Sequence, residues 1–359
     1  MTTDTRAADA SGHGPGGPEA PAAQVAVRSL GGTIAMTTSA NGSGAAPSLG
    51  ADALITAIPE LAGVATVDAR TVLTIPGASL DIPQLLALHA ELEQACIDGA
   101  DGSVVIQGTD TLEESAYLLD LLWTRPEPLV ITGAMRTADT VGADGPANLL
   151  AAVTVAASAD SVRRGCLLVM SDEIHHARSV RKLHTASVGA FGSPSTGPAG
   201  VVHEGHVIFH APPGVRKAPL VPRTTEGARV ALVRVALGGD TVLLDAAVES
   251  YDGIVVEALG GGHVPFWWFE PLLKAAARMP VILASRTGNG PLLESTYDFP
   301  GSEKRLLAGG LISAGSLDGL KARILLTLVL MTATDGTECE QLFTERAGAN
   351  QRVTPEYQF

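Results

Sequence analysis

Val25-Ala26-Val27-Arg28-Ser29-Leu30-Gly31-Gly32-Thr33 and Val104-Val105-Ile106-Gln107-Gly108-Thr109-Asp110 are built alike. In each, a short apolar run (Val25 to Leu30, Val104 to Gln107) reads as a buried parallel strand and closes on glycine and a threonine hydroxyl. In an open α/β sheet the ligand site lies beyond the carboxyl ends of the strands, where glycine allows close approach. One threonine after glycine is ordinary turn chemistry. Two delivered to the same sheet end suggest one pocket holding a hydroxyl nucleophile and a second hydroxyl beside it.

Working outward, strand-like runs at Thr71–Ile75, Leu129–Thr132 and Leu167–Ser171 alternate with helical patterns at Gly50–Ile58, Ile82–Asp98, Thr111–Trp123 and Ala147–Ser158. This alternation predicts a parallel sheet covered on both faces, a flavodoxin- or Rossmann-like domain over residues 24–210. Ahead of Leu112-Glu113-Glu114, the segment Thr109-Asp110-Thr111 can cap the next helix with a hydroxyl or carboxylate. Gly200–His203 and His206–His210 read as a hairpin about a Glu-Gly turn. Residues 211–227, rich in Pro, Arg and Thr, read as a linker. A smaller α/β domain over 228–359 follows, with strands Val230–Val235, Gly253–Val256 and Val281–Ala284. Its helices fall near Thr241–Glu249, Pro265–Arg278 and Asp318–Thr332.

The chain has 359 residues and a net charge of −14. That charge argues against nucleic acid and anionic membranes as partners. Cys96, Cys166 and Cys339 are too few and scattered for a disulfide framework or a zinc site, and His175-His176 fits no metal signature, so no metal is expected. No run of about 18 apolar residues suggests a membrane span. Residues 1–23 have the composition of a disordered tail and lack a signal peptide's basic start and apolar core, which makes the cytoplasm the expected location.

Amide hydrolysis needs a nucleophile, a group to take its proton, and donors for the oxyanion. Thr109-Asp110 supplies a hydroxyl and a carboxylate in one turn. Lys182, in Ala177-Arg178-Ser179-Val180-Arg181-Lys182, can supply an amine for the proton if its surroundings hold it partly neutral.

With those residues in view, the chain resembles the bacterial-type L-asparaginase/glutaminase family. The likeness rests on Gly31-Gly32-Thr33-Ile34-Ala35, Gly108-Thr109-Asp110-Thr111-Leu112-Glu113-Glu114, Thr132-Gly133-Ala134-Met135-Arg136, Asp144-Gly145-Pro146-Ala147-Asn148 and the Arg178 to Lys182 segment. Downstream, Tyr251-Asp252-Gly253-Ile254-Val255-Val256 and Gly260-Gly261-Gly262-His263 resemble the family's second domain. The resemblance implies hydrolysis of L-asparagine to L-aspartate and ammonia through an acyl-enzyme, with no cofactor. It also implies a homodimer or homotetramer with sites between subunits. It makes Thr33 the nucleophile, Thr109, Asp110 and Lys182 the second catalytic group, Asp110 also the holder of the substrate α-ammonium, and Ala134 a backbone contact to the amide.

Four positions depart from the family pattern. Met36 to Pro47 lacks the tyrosine that partners the nucleophile. Pro76-Gly77-Ala78-Ser79 stands where a Gly-Ser-Gln-Asp segment contacts substrate, so Gly77, Ala78 and Ser79 offer a thinner carboxylate contact. His263 occupies the place of an asparagine that reaches from the partner subunit. Tyr297, with Glu294 the nearest carboxylate, stands near the position of a trans-acting glutamate. These departures leave three consequences open: weak activity, a larger share for Thr109, or another amide substrate (glutamine or D-asparagine among them). A weakly catalytic amino-acid sensor on the same fold is a further alternative.

Overall fold

The computed structural model describes residues 23–38 and 44–348. Most of the expected disordered tail, and positions 39–43 of the loop after Thr33, lie outside the described residues. The N-terminal domain opens with β1 (Ala23–Ser29) and a small hairpin, β2 (Met36–Thr38) with β3 (Ala45–Pro47). Then α1 (Ala51–Thr56), β4 (Ala65–Thr71), α2 (Ile82–Ile97), β5 (Gly102–Ile106), α3 (Leu112–Leu122), β6 (Leu129–Thr132) and α4 (Gly145–Ala157) alternate. The domain ends with β7 (Cys166–Met170), β8 (Glu173–His176), the two-residue pair β9 (Arg181–Lys182) and β10 (Phe191–Gly192), and the hairpin β11 (Gly200–His203) and β12 (His206–Phe209). The second domain holds β13 (Val230–Arg234), α5 (Val242–Ser250), β14 (Gly253–Ala258), α6 (Phe266–Ala276), β15 (Val281–Ser285), α7 (Glu303–Ala308), β16 (Ile312–Ser313), α8 (Gly319–Thr332) and α9 (Gly336–Ala347).

The large sheet runs β12-β11-β8-β7-β6-β5-β1-β4. Its five strands from β7 to β4 are parallel, and β8, β11 and β12 extend it antiparallel. In chain order the parallel set reads 2-1-3-4-5, the doubly wound order that reverses between the first and third strands. That reversal falls between β1 and β5, the two strands that end in the threonine loops. β5, β6 and β7 are buried on both faces, which explains their unbroken apolar runs. The smaller sheet, β13-β14-β15-β16, is parallel throughout.

Two sequence expectations need correction. The fourth strand spans Ala65–Thr71 and not Thr71–Ile75. Its Val67 and Ala69 face the core while Asp68 and Arg70 face outward on a sheet edge, so it alternates and carries no apolar run. Beyond Thr71 the ladder lacks a straight partner, because β1 has ended and Gly31 turns away with φ +97°. Nor does a side chain of the Thr109-Asp110-Thr111 turn cap α3. Instead, Thr111 Oγ1 donates to Gly77 O at 2.8 Å, tying the loop after β5 to the loop after β4.

Between β12 and β13 the chain forms no strand or helix. The two domains nonetheless share one apolar cluster, in which Leu118 and Leu122 of α3 and Leu168 of β7 join Leu325 and Val329 of α8 and Val255 of β14. Among the described residues no helix is long and apolar enough to cross a membrane.

Candidate active site

Four glycines bring four loops together at the switch point. Gly32 has φ +92°, and a Cβ there would overlap the backbone of Gly108. A Cβ on Gly77 would stand 2.7 Å from Gly108 O, and one on Gly133 would stand 3.3 Å from Thr109 Cγ2. Only glycine permits these approaches. The loops carrying Thr33, Gly77 to Ser79, Thr109 to Thr111 and Ala134 therefore touch one another at the carboxyl ends of β1, β4, β5 and β6.

Thr33 begins a single 3-10 turn, Thr33–Ala35, and is half-buried. Ile34 and Ala35 anchor that turn in the core. Thr109 is buried, and its Oγ1 accepts a hydrogen bond from Lys182 Nζ at 3.0 Å. The same Nζ donates to Asp110 Oδ1 at 2.9 Å. Lys182 is largely enclosed, whereas the Asp110 side chain is 67% exposed and keeps acceptor capacity toward solvent. Thus three residues read from the sequence as one group form one hydrogen-bonded unit.

Ala134 is fully buried, and its loop is held from below. Met135 N and Arg136 N donate to the Asp144 carboxylate, and Asn148 Nδ2 donates to Gly133 O at 3.1 Å. Gly77 is buried on the 3-10 turn Gly77–Ser79, while Ala78 and Ser79 are exposed on its rim.

His263 and Tyr297 come together, but elsewhere. His263 Nε2 lies 3.0 Å from Glu303 Oε2, and its ring meets that of Tyr297 edge-on at 4.8 Å. Glu303, not Glu294, is the buried carboxylate here; its Oε1 also accepts from Thr296 N and Tyr297 N. Burial opposes its charge, yet these donors hold its carboxyl below the ordinary range. The polar and ring contacts of His263 and Tyr297, among the described residues, lie within the C-terminal domain.

A buried ionic cluster supports Lys182 from behind, and sequence reasoning missed it. Glu113 Oε1 accepts from Lys182 N at 3.3 Å, and Glu113 Oε2 accepts from Lys321 Nζ at 3.1 Å. Lys321 Nζ also donates to Val180 O at 2.7 Å and Asp318 Oδ2 at 3.1 Å. Arg181 Nε stands 3.6 Å from the same Asp318 oxygen, and its Nη1 donates to Gly288 O. Asp318 is desolvated, which raises its pKa, but Lys321 and Arg181 outweigh that and hold the carboxyl below its usual value. The segment bearing Lys182 is thus clamped between α3 of one domain and α8 of the other. Glu113 stood inside a quoted motif, but nothing in it announced burial; Lys321 gave no signal beyond a lone charge near an apolar run.

Comparison with known proteins covers both domains. Residues 24–214 match the family model "Asparaginase, N-terminal" and residues 229–343 match "Glutaminase/Asparaginase C-terminal domain". The chain is 36% identical to a probable L-asparaginase of Deinococcus radiodurans, over 90% of this chain and 97% of that one. It is 32% identical to L-asparaginase 2 of Escherichia coli, over 83% of this chain and 85% of that one. The crystal structure of a probable cytoplasmic L-asparaginase from Campylobacter jejuni superposes with a TM-score of 0.79 at 29% identity, covering 89% of this chain and 99% of that chain.

Proposed function

This chain belongs to the bacterial-type asparaginase family, and from that premise we propose that it hydrolyses the side-chain amide of L-asparagine to L-aspartate and ammonia. The observation that carries the reading is Lys182 Nζ, bonded at once to Thr109 Oγ1 and Asp110 Oδ1 where the glycine loops meet. In this reading Thr33 Oγ1 attacks the side-chain carbonyl carbon. Its proton passes through Thr109 Oγ1 and Lys182 Nζ to the departing nitrogen, which leaves as ammonia. Water then uses the same relay to open the ester, releasing aspartate and restoring Thr33. Backbone N–H groups near Thr33 and Thr109 stabilise the oxyanion. Asp110 orients Lys182 and, with its exposed carboxylate, receives the α-ammonium of the substrate.

Ammonia release from purified protein with L-asparagine tests this. Thr33→Ala is expected to cut kcat by about a thousandfold or more while leaving the thermal midpoint unchanged. Near wild-type turnover in that variant would overturn the role of Thr33.

One observation favours a second reading, a related amidase acting on glutamine or another amide. Gly77 is pressed against Gly108 O, so no side chain at that position can reach the substrate carboxylate. A preference of about a hundredfold for another amide in kcat/KM would select it; discrimination of that size is within reach of a few site contacts. His263 and Tyr297, held rigidly by Glu303 in the second domain, suit a role in a neighbouring subunit's site within a homodimer or homotetramer. The same reading divides the chain into 24–210 and 228–359 joined by 211–227. It also places the enzyme in the cytoplasm, in keeping with three buried, unpaired cysteines.

A further inference from the structure

A cavity of about 570 Å³ lies between α3, the Arg163–Cys166 turn, the segment after β8, residues 214–218 and the end of α9. Arg163, Arg164, Arg178, Arg216, Lys217 and Arg346 line it with a single lining carboxylate, Asp120, and Glu345 stands 4.0 Å from both Lys217 Nζ and Arg346 Nη1, so cations predominate although the protein as a whole carries a charge of −14. Most of these cations are engaged. Arg216 pairs with Asp120 at 2.5 Å, Arg178 donates to the carbonyls of Arg346 and Ala347 at 2.7 Å, and Arg164 donates to Ala211 O at 3.0 Å. Bonds to carbonyl oxygens satisfy donors without neutralising charge. His176 registers the resulting field: burial lowers its pKa first, and Arg164 and Arg216 push it further down against the opposing pull of Asp120.

Two residues that line the cavity each carry a buried donor with no hydrogen-bond partner among the described residues, Tyr117 Oη and Arg346 Nη1. Glu345 Oε2, on an exposed side chain, stands 4.0 Å from that Nη1, beyond hydrogen-bond reach. Arg346 itself is fixed, because its Nη2 donates to Ala218 O at 2.8 Å. Burial drives the Tyr117 hydroxyl far above its ordinary pKa, so it stays protonated and able to donate. A buried donor left without an acceptor is costly, and two of them in a cationic cavity call for an anionic acceptor.

We propose that this cavity binds a small oxyanion, phosphate or polycarboxylate, with Tyr117 Oη and Arg346 Nη1 as its buried donors. Guanidinium groups present planar donor pairs that match both chemistries. The site shares none of the residues assigned to amide hydrolysis. Isothermal titration of the full-length chain at low ionic strength, with inorganic phosphate in one arm and citrate in the other, tests it. One saturable site per chain is expected with at least one of the two, and which one it is names the source. Arg346→Gln should weaken that binding about tenfold and Tyr117→Phe about fivefold. Should Arg346→Gln fail to fold, Tyr117→Phe alone decides, since it removes one oxygen from a packed ring. Absence of saturable binding in both arms, or binding that ignores these substitutions, would overturn the proposal.

Discussion

At Gly32 one hydrogen atom sets how closely the two threonine loops approach. An alanine there would meet the backbone of Gly108 while holding φ at +92°, a conformation that costs a non-glycine residue about 1 kcal/mol or more. Gly32→Ala should therefore lower kcat by more than about tenfold, since small misplacements of catalytic groups carry such costs. Steady-state kinetics beside a thermal melt would separate that loss from unfolding. Lys182 makes a sharper case. Lys182→Met should reduce kcat by about 10²- to 10⁴-fold, the usual worth of general acid–base help. Lys182→Arg should not restore it, because a guanidinium does not release its proton near neutral pH. Thr33, Thr109, Asp110 and Lys182, the residues of the proposed relay, are legible as candidates because each sits in a recognisable motif. Glu113 and Glu114 look equivalent in sequence, yet α3 turns Glu113 onto Lys182 and Lys321 and leaves Glu114 half-buried. That difference depends on α8, some two hundred residues later, and no local pattern reports it.

Among elements, the contact of α3 and α8 on either side of β9 has the largest consequence. Glu113 and Lys321 form a buried pair, with side chains 8% and 1% exposed. Removing one partner of such a pair leaves a buried charge and costs about 3–5 kcal/mol. Lys321→Met and Glu113→Gln should each destabilise strongly in urea denaturation, while the double variant loses less than the sum. Strict additivity would mean that the two do not interact. Elements with strong periodicity and caps, such as α2 with its Asp81–Gln84 capping box, could be read from sequence nearly to the residue. The element α9 stands outside the sequence expectations although its signals are present. Asp335 caps it, Cys339, Phe343 and Ala347 recur on one face, and Gly348 ends it with φ +76°. Its high polar content masked that stripe. β4 is hard to place from sequence for a different reason, since an edge strand needs only one apolar face.

For the whole molecule, the doubly wound order was foreseeable from βα alternation, but the antiparallel extension by β8 was not. A tight turn with Ser171 and Asp172 at positive φ doubles the chain back there, which is an uncommon conformation for either residue. That extension buries His175 completely, with Nδ1 3.1 Å from Ser193 Oγ. Burial, and then neighbouring His176, push its pKa down from 6.5 to about 4. The unfolded chain therefore takes up this proton first. The stability it contributes is complete above pH 6.5 and drains as pH falls toward about 4, by about 3 kcal/mol in total. Glu173 Oε2, 3.2 Å from Nε2, works against that loss. Denaturation midpoints measured across this range should fall with acidity, and His175→Asn should flatten the slope. Below it, protonation of Asp318, whose folded pKa is depressed, removes a further increment. The clamp on Lys182 bears on how the protein can be divided. From across the domain boundary Lys321 holds Val180 O directly and the Lys182 N–H by way of Glu113, and Leu118 and Val255 share one core. Halves synthesised separately, split between β12 and β13, would each be inert. Turnover would return only when the fragments reassociate, so ammonia release from the mixture would serve as a reporter of complementation.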